Sequence, residues 1–157
     1  MFHRLLAASA ILATACATAE AQRAEPTIDL ESASAIVTAC VDHARANDQG
    51  VAVAVFDQHG NLKAYAIMDS ADTAVGDIAQ WKGKSAATYG FSSAETGKWG
   101  SPGPGMATWR GGLPIRLESG ELIGGVGVSG APSEFDEACG NTGIAAAGLP
   151  KAEIVAD

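Results

Sequence analysis

The sequence predicts an α+β fold, one antiparallel sheet with helices packed on its faces. Two hairpin signatures, and the helical stretches that separate them, carry that prediction. In Gly111 to Gly130, Leu113, Ile115 and Leu117 alternate with Pro114, Arg116 and Glu118, Ser119-Gly120 reverses the chain, and Leu122 to Val128 resumes an apolar, Gly-spaced strand. Val51 to Phe56, the loop Asp57-Gln58-His59-Gly60-Asn61 and Leu62 to Met68 repeat the pattern. Hairpins alternating with helices fit a layered antiparallel sheet rather than a doubly wound parallel one.

Taken in order, Ala33, Ile36, Val37, Cys40, Val41 and Ala44 form the apolar stripe of a first helix, with Ser32 or Asp29 as its cap and Asn47-Asp48-Gln49-Gly50 as its stop. Val51 to Phe56 is a near-continuous β-branched run, which predicts a strand covered on both faces. A second helix runs from an Asp72 or Thr73 cap to about Tyr89, along Val75, Ile78, Ala79, Lys82, Ala86 and Tyr89. Gly83 weakens it, at a cost of about 1 kcal/mol against Ala. Gly90 to Gly105, with Ser101-Pro102-Gly103-Pro104-Gly105, reads as a long loop of the kind that carries function. Ser133 to Gly148 is a last helix with Phe135, Ala138, Cys139, Thr142 and Ala145 or Ala146 turned inward.

The length of 157 residues and the 47% apolar share suit one domain with a real core. Residues 1–21 read as a signal peptide. Arg4 opens it, Leu5 to Ala15 is apolar but too short to span a bilayer, and Ala19-Glu20-Ala21 supplies the cleavage site. The alternative, lipidation of Cys16, rests on a poor lipoprotein box. Residues 22–31 are then a short leader and 32–157 a single domain, periplasmic or secreted. The net charge of −8 argues against nucleic acid and anionic membrane surfaces as partners. In an oxidising compartment Cys40 and Cys139 are read equally as a disulfide or as two buried thiols, and they meet if the first and last helices share a face.

Two enzyme signatures fail on context. Gly125-Val126-Gly127-Val128-Ser129-Gly130 matches a dinucleotide fingerprint, but that motif requires a following helix, a second parallel strand and an acidic residue about 20 positions on, which Ala131 to Asp157 does not supply. Gly127 to Ala131 lacks the last Gly of a nucleophile elbow. Asp57, Asp69, Asp72 and Asp77 show no paired spacing for acid and base work.

The ordered set Val51 to Leu62, Met68-Asp69, Lys82-Gly-Lys-Ser-Ala86, Gly111-Gly-Leu-Pro-Ile115, Ile123 to Gly130 and Asp136 resembles the GlcG/HbpS family of haem-binding proteins, which includes the C-terminal domain of PduO corrinoid adenosyltransferases. The resemblance covers about Ser32 to Leu149. It implies a profilin-like fold with a five-stranded antiparallel sheet between helices, assembly into homo-oligomers, and binding of haem or a corrinoid. For exported members it also implies haem sensing with a partner sensor kinase. Gly83 stands where relatives usually carry Ala, and Trp81, Trp99 and Trp109 surround the variable loop.

A bound haem needs an axial ligand for iron and cations for its propionates. The candidate axial ligands are His43 and Met106. The candidate ligand-binding set is Met106, Trp109, Arg110, Gly111, Lys82 and His43, with the thioether facing the tetrapyrrole, the indole stacked on it, and Arg110 or Lys82 meeting a carboxylate. His59 reads as a solvated turn residue and Met68 as core. The competing function is an isomerase or lyase acting on a small organic acid through Lys82, Arg110 or Asp136.

Overall fold

The stripe from Ala33 to Ala44 becomes the inner face of α1 (Leu30–Ala46), capped by Asp29, whose carboxylate accepts the Ser32 N–H at 2.7 Å. The computed structural model describes residues 24–154; the expected signal peptide and Cys16 lie outside the described residues. After α1 come β1 (Ala52–Asp57), β2 (Leu62–Ile67), α2 (Val75–Tyr89), the single turn α3 (Ser93–Thr96), β3 (Gly112–Arg116), β4 (Leu122–Ser129) and α4 (Ser133–Ala146). Every strand pairing is antiparallel, and the order across the sheet is β2-β1-β4-β3. β1 is buried along its whole length, as its β-branched run predicts.

The resemblance implied five strands, and among the described residues the sheet has four. The two hairpins supply all of them. The stretch between α2 and β3 forms α3 and a loop tied back to α2, with Tyr89 Oη donating to Pro104 O at 2.6 Å and the Ala107 N–H to Ser85 Oγ at 2.8 Å. The Gly/Pro segment is thus fastened rather than loose.

Alternation along β1 divides the core between two faces. Val53 and Val55 join Leu113, Ile115, Val126 and Val128 beneath α1 and α4, whereas Ala52, Ala54 and Phe56 meet Val75, Ala79 and Ala87 of α2. Each fully buried Val, Leu or Ile contributes about 1.5–3 kcal/mol of transfer free energy. Ile28, ahead of α1, also sits in the larger cluster and donates its N–H to Ile123 O at 3.0 Å. α1 and α4 share a face, and a Cys40–Cys139 disulfide joins them, with Cα atoms 4.8 Å apart.

The glycines of the apparent dinucleotide motif are packing devices. α2 lies so close to the sheet that a Cβ on Gly83 would sit 2.7 Å from Ala54 O and 2.8 Å from Gly127 N, and one on Gly127 would collide with Ala79 O. Gly83 therefore opposes helix propensity in order to let α2 touch β1 and β4.

Two local expectations are corrected. Neither Asp72 nor Thr73 caps α2; its first residue follows Ala74, which makes no side-chain cap, and the turn closes through the Val75 N–H to Asp72 O. On α4 the inward residues are Asp136, Glu137, Cys139, Gly140, Asn141, Gly143 and Ile144, while Ala138, Ala145 and Ala146 are exposed and Phe135 and Thr142 half-buried. Hydrophobic periodicity caught Cys139 but missed most of this face, because five of the seven residues α4 buries are polar or glycine.

The margin of β3 is organised by hydrogen-bond phase. The Val128 N–H donates to Gly111 O at 2.8 Å and the Leu117 N–H to Glu121 O at 2.9 Å, so odd-numbered residues of β3 face β4 and the backbone groups of Gly112, Pro114 and Arg116 face outward. The Gly112 N–H is taken by Ser93 Oγ at 2.8 Å, and Pro114 has none to offer.

Candidate ligand site

Where the chain enters β3, four charged side chains meet. Lys82 comes from α2 on one face of the sheet, Asp136 and Glu137 from the N-terminal half of α4 on the other, and Arg110 from the loop just before β3. Lys82 Nζ donates to Asp136 Oδ2 at 3.1 Å and to Val128 O at 2.9 Å. Arg110 donates through Nε at 3.2 Å and Nη2 at 2.7 Å to the same oxygen, Glu137 Oε2, and approaches the exposed Glu134 at 3.8 Å. Gly111 makes the crossing possible. Its φ is +112°, and a Cβ there would lie 2.9 Å from Lys82 Nζ and strike Val128 O.

Two cations and two carboxylates balance, yet burial is costly to all four. Desolvation pulls the Lys82 ammonium below its ordinary value against the opposing pull of Asp136 and Glu137. It also pushes the Asp136 carboxyl up, against the Lys82 charge and the N–H of Ala131. Glu137 is wholly buried, and its Oε1 has no hydrogen-bond partner among the described residues. A buried, unsatisfied carboxylate oxygen marks a network with room for one more donor.

Beside this network lies an aromatic surface. Trp81, the neighbour of Lys82, and Trp109, the neighbour of Arg110, meet edge to face with centroids 6.0 Å apart. Trp109 is 61% exposed. Met106 is half-buried nearby in the sequence, and its sulfur accepts the Gly103 N–H at 3.1 Å.

The structure therefore brings together Lys82, Arg110 and Gly111, with Trp109 and Met106 on the adjoining loop. It does not bring His43 to them. His43 is on α1, across the sheet from α2, stacked on Phe135 at 5.1 Å, so it shares no site with Met106. His59 is an exposed turn residue 3.9 Å from Glu25, and Met68 packs against the core. Glu137 was missed: an acid on a helix reads as a solvated side chain, and only the neighbouring Asp136 carried a motif signal. Among the described residues no group of three or more His, Cys, Asp or Glu side chains is placed to hold a metal ion.

The sequence pattern of a family described as "Haem degrading protein HbpS-like" matches residues 28–145. The chain belongs to this family. GlcG of Escherichia coli K12 is 33% identical over 106 residues, 63% of this chain and 78% of GlcG. The HbpS-like chain also superposes on the crystal structure of HbpS with a TM-score of 0.75 and 29% identity, covering 82% of this chain and 96% of HbpS. A crystal structure of a PduOC:heme complex matches with a TM-score of 0.73 over 81% of this chain and 99% of that one; at 24% identity it supports the fold alone. The motif order that suggested the GlcG/HbpS family thus identified it correctly. No described helix is long and apolar enough to cross a membrane.

Proposed function

We propose that this HbpS-like chain is an exported tetrapyrrole-binding protein, with haem as its first ligand and a corrinoid as the alternative, acting in scavenging or sensing as a homo-oligomer. The observation that carries the reading is the Trp81–Trp109 pair, its outer ring exposed, beside Arg110 and above a buried charged network with an unsatisfied oxygen. An indole gives a flat apolar face to a macrocycle, and a guanidinium matches a propionate. Support comes also from the family's haem-related description and from the haem named in the PduOC complex.

The residues fit the ring and its acidic ends better than they fit the iron. Bound haem supplies a redox-active iron that takes an axial donor. On this side of the sheet the candidate donor is Met106, which gives up its bond from the Gly103 N–H to serve. Residues 1–21 account for export.

Hemin titrated into the mature protein tests the reading. A shifted Soret band is expected, weakened by Trp109→Ala and by Met106→Ala and unchanged by His43→Ala. A free-hemin spectrum at micromolar protein overturns it.

A further inference from the structure

A cleft of about 450 Å³ runs along the outer margin of β3 and shares no lining residue with the tryptophan surface or with Lys82. Its size is that of a small-molecule site. Phe91, Pro114, Leu117 and Pro150 make its apolar wall, and Arg116 and Lys151 are its cations. The Phe91 ring is 40% exposed and braced edge to face by Trp99, with centroids 5.1 Å apart.

Arg116 is positioned without being paired to a carboxylate. Arg116 donates through Nη1 to Gly120 O at 2.9 Å and through Nη2 to Gly90 O at 2.8 Å, which fixes the guanidinium between two carbonyls. Among the described residues, no carboxylate lies within ion-pair distance of Arg116 or Lys151. The lining carries three glutamates against these two cations, so an anion is selected here by the fixed guanidinium and the unpaired Lys151 rather than by net charge. The outward phase of β3 adds the backbone N–H of Arg116 at the same margin.

The far wall is held in place. Asn141, buried in α4, donates to Ala152 O at 3.0 Å and accepts the Ala152 N–H at 2.8 Å, which pins the chain after α4 beside the cleft. Glu95, Glu118 and Glu153 also line the cleft and repel any anion, a cost that grows with charge and so favours a single carboxylate over a dianion.

We propose that this cleft binds an organic monocarboxylate with an aromatic or branched apolar body, its carboxylate on Arg116 and Lys151 and its body against Phe91 and Leu117. The proposal stands independently of the tetrapyrrole reading. The test is calorimetric titration of 3-phenylpropanoate into the disulfide-bonded protein, with 3-phenylpropanamide as the neutral control. Saturable binding of the acid is expected, about tenfold tighter than the amide and weaker in high salt. Lys151→Glu and Arg116→Gln each weaken it by about tenfold. Arg116→Gln also removes two tethers, so its thermal unfolding is measured alongside; Lys151, which is exposed, carries the test if that variant does not fold. Trp109→Ala leaves the acid's affinity unchanged. Absence of saturable heat at millimolar acid, equal affinity for acid and amide, or loss of binding in Trp109→Ala overturns the proposal.

Discussion

Lys82 Nζ and Asp136 Oδ2 stand 3.1 Å apart although their helices lie on opposite faces of the sheet and 54 residues separate them in the chain. The ion pair closes over the entrance to β3 and ties α2 to α4 where no backbone does. Both side chains are more than nine-tenths buried.

Removing one partner strands the other charge in the interior. Lys82→Met alone or Asp136→Leu alone lowers stability by about 3–5 kcal/mol, whereas the double replacement restores most of it. Urea unfolding of the three variants checks this, and additive losses in the double variant count against a coupled pair.

The pair's contribution to stability slopes down with pH at the acid end and up at the alkaline end. The folded pKa of Lys82 lies below its unfolded 10.5, so the unfolded chain holds the extra proton just under that value and stability rises with pH there. The folded pKa of Asp136 lies above its unfolded 3.8, so the folded chain holds the extra proton just above that value and stability falls with rising pH there. The melting temperature of the native protein minus that of the Lys82→Met/Asp136→Leu variant should therefore descend as pH climbs past 3.8 and ascend as it nears 10.5. A flat difference curve removes the argument.

Gly83→Ala runs against helix propensity. The substitution favours an isolated helix by about 1 kcal/mol, but its methyl meets Ala54 O and Gly127 N at under 3 Å. Overpacking of this kind costs about 1–3 kcal/mol. Thermal melts should show a net loss, and a gain would mean that α2 lifts freely from the sheet.

The Cys40–Cys139 bridge fastens the two helices of one face across a separation of 99 residues. Replacing both cysteines by Ala costs about 2–5 kcal/mol. Reductant should lower the melting temperature of the native protein toward that of the variant and leave the variant unmoved.

The hairpins and α1 were legible because alternation and the 3.6-residue repeat both register apolar burial. What escaped was burial of polar groups. Asp136, Glu137 and Asn141 turn the face of α4 away from the one its alanines suggest, and no pattern of hydrophobicity reports a carboxylate held inside by a distant amine. Lys82 and Asp136 were both singled out from the chain, but their union depends on Gly111 opening the passage between them. His43 and Met106, offered as alternative axial ligands, fall on different elements, His43 on α1 stacked against Phe135, because helix spacing tells which residues share a stripe and not which side of a sheet the stripe will cover.

Pro114 gives the sheet two unlike borders. At β3 one N–H is occupied by a serine hydroxyl and the next is missing, so another ribbon finds no continuous ladder to join. β2 has no proline and leaves Leu62, Tyr65 and Ile67 uncovered. Addition of a further strand is thereby obstructed at the β3 border, and a chain of sheets cannot propagate head to tail through it.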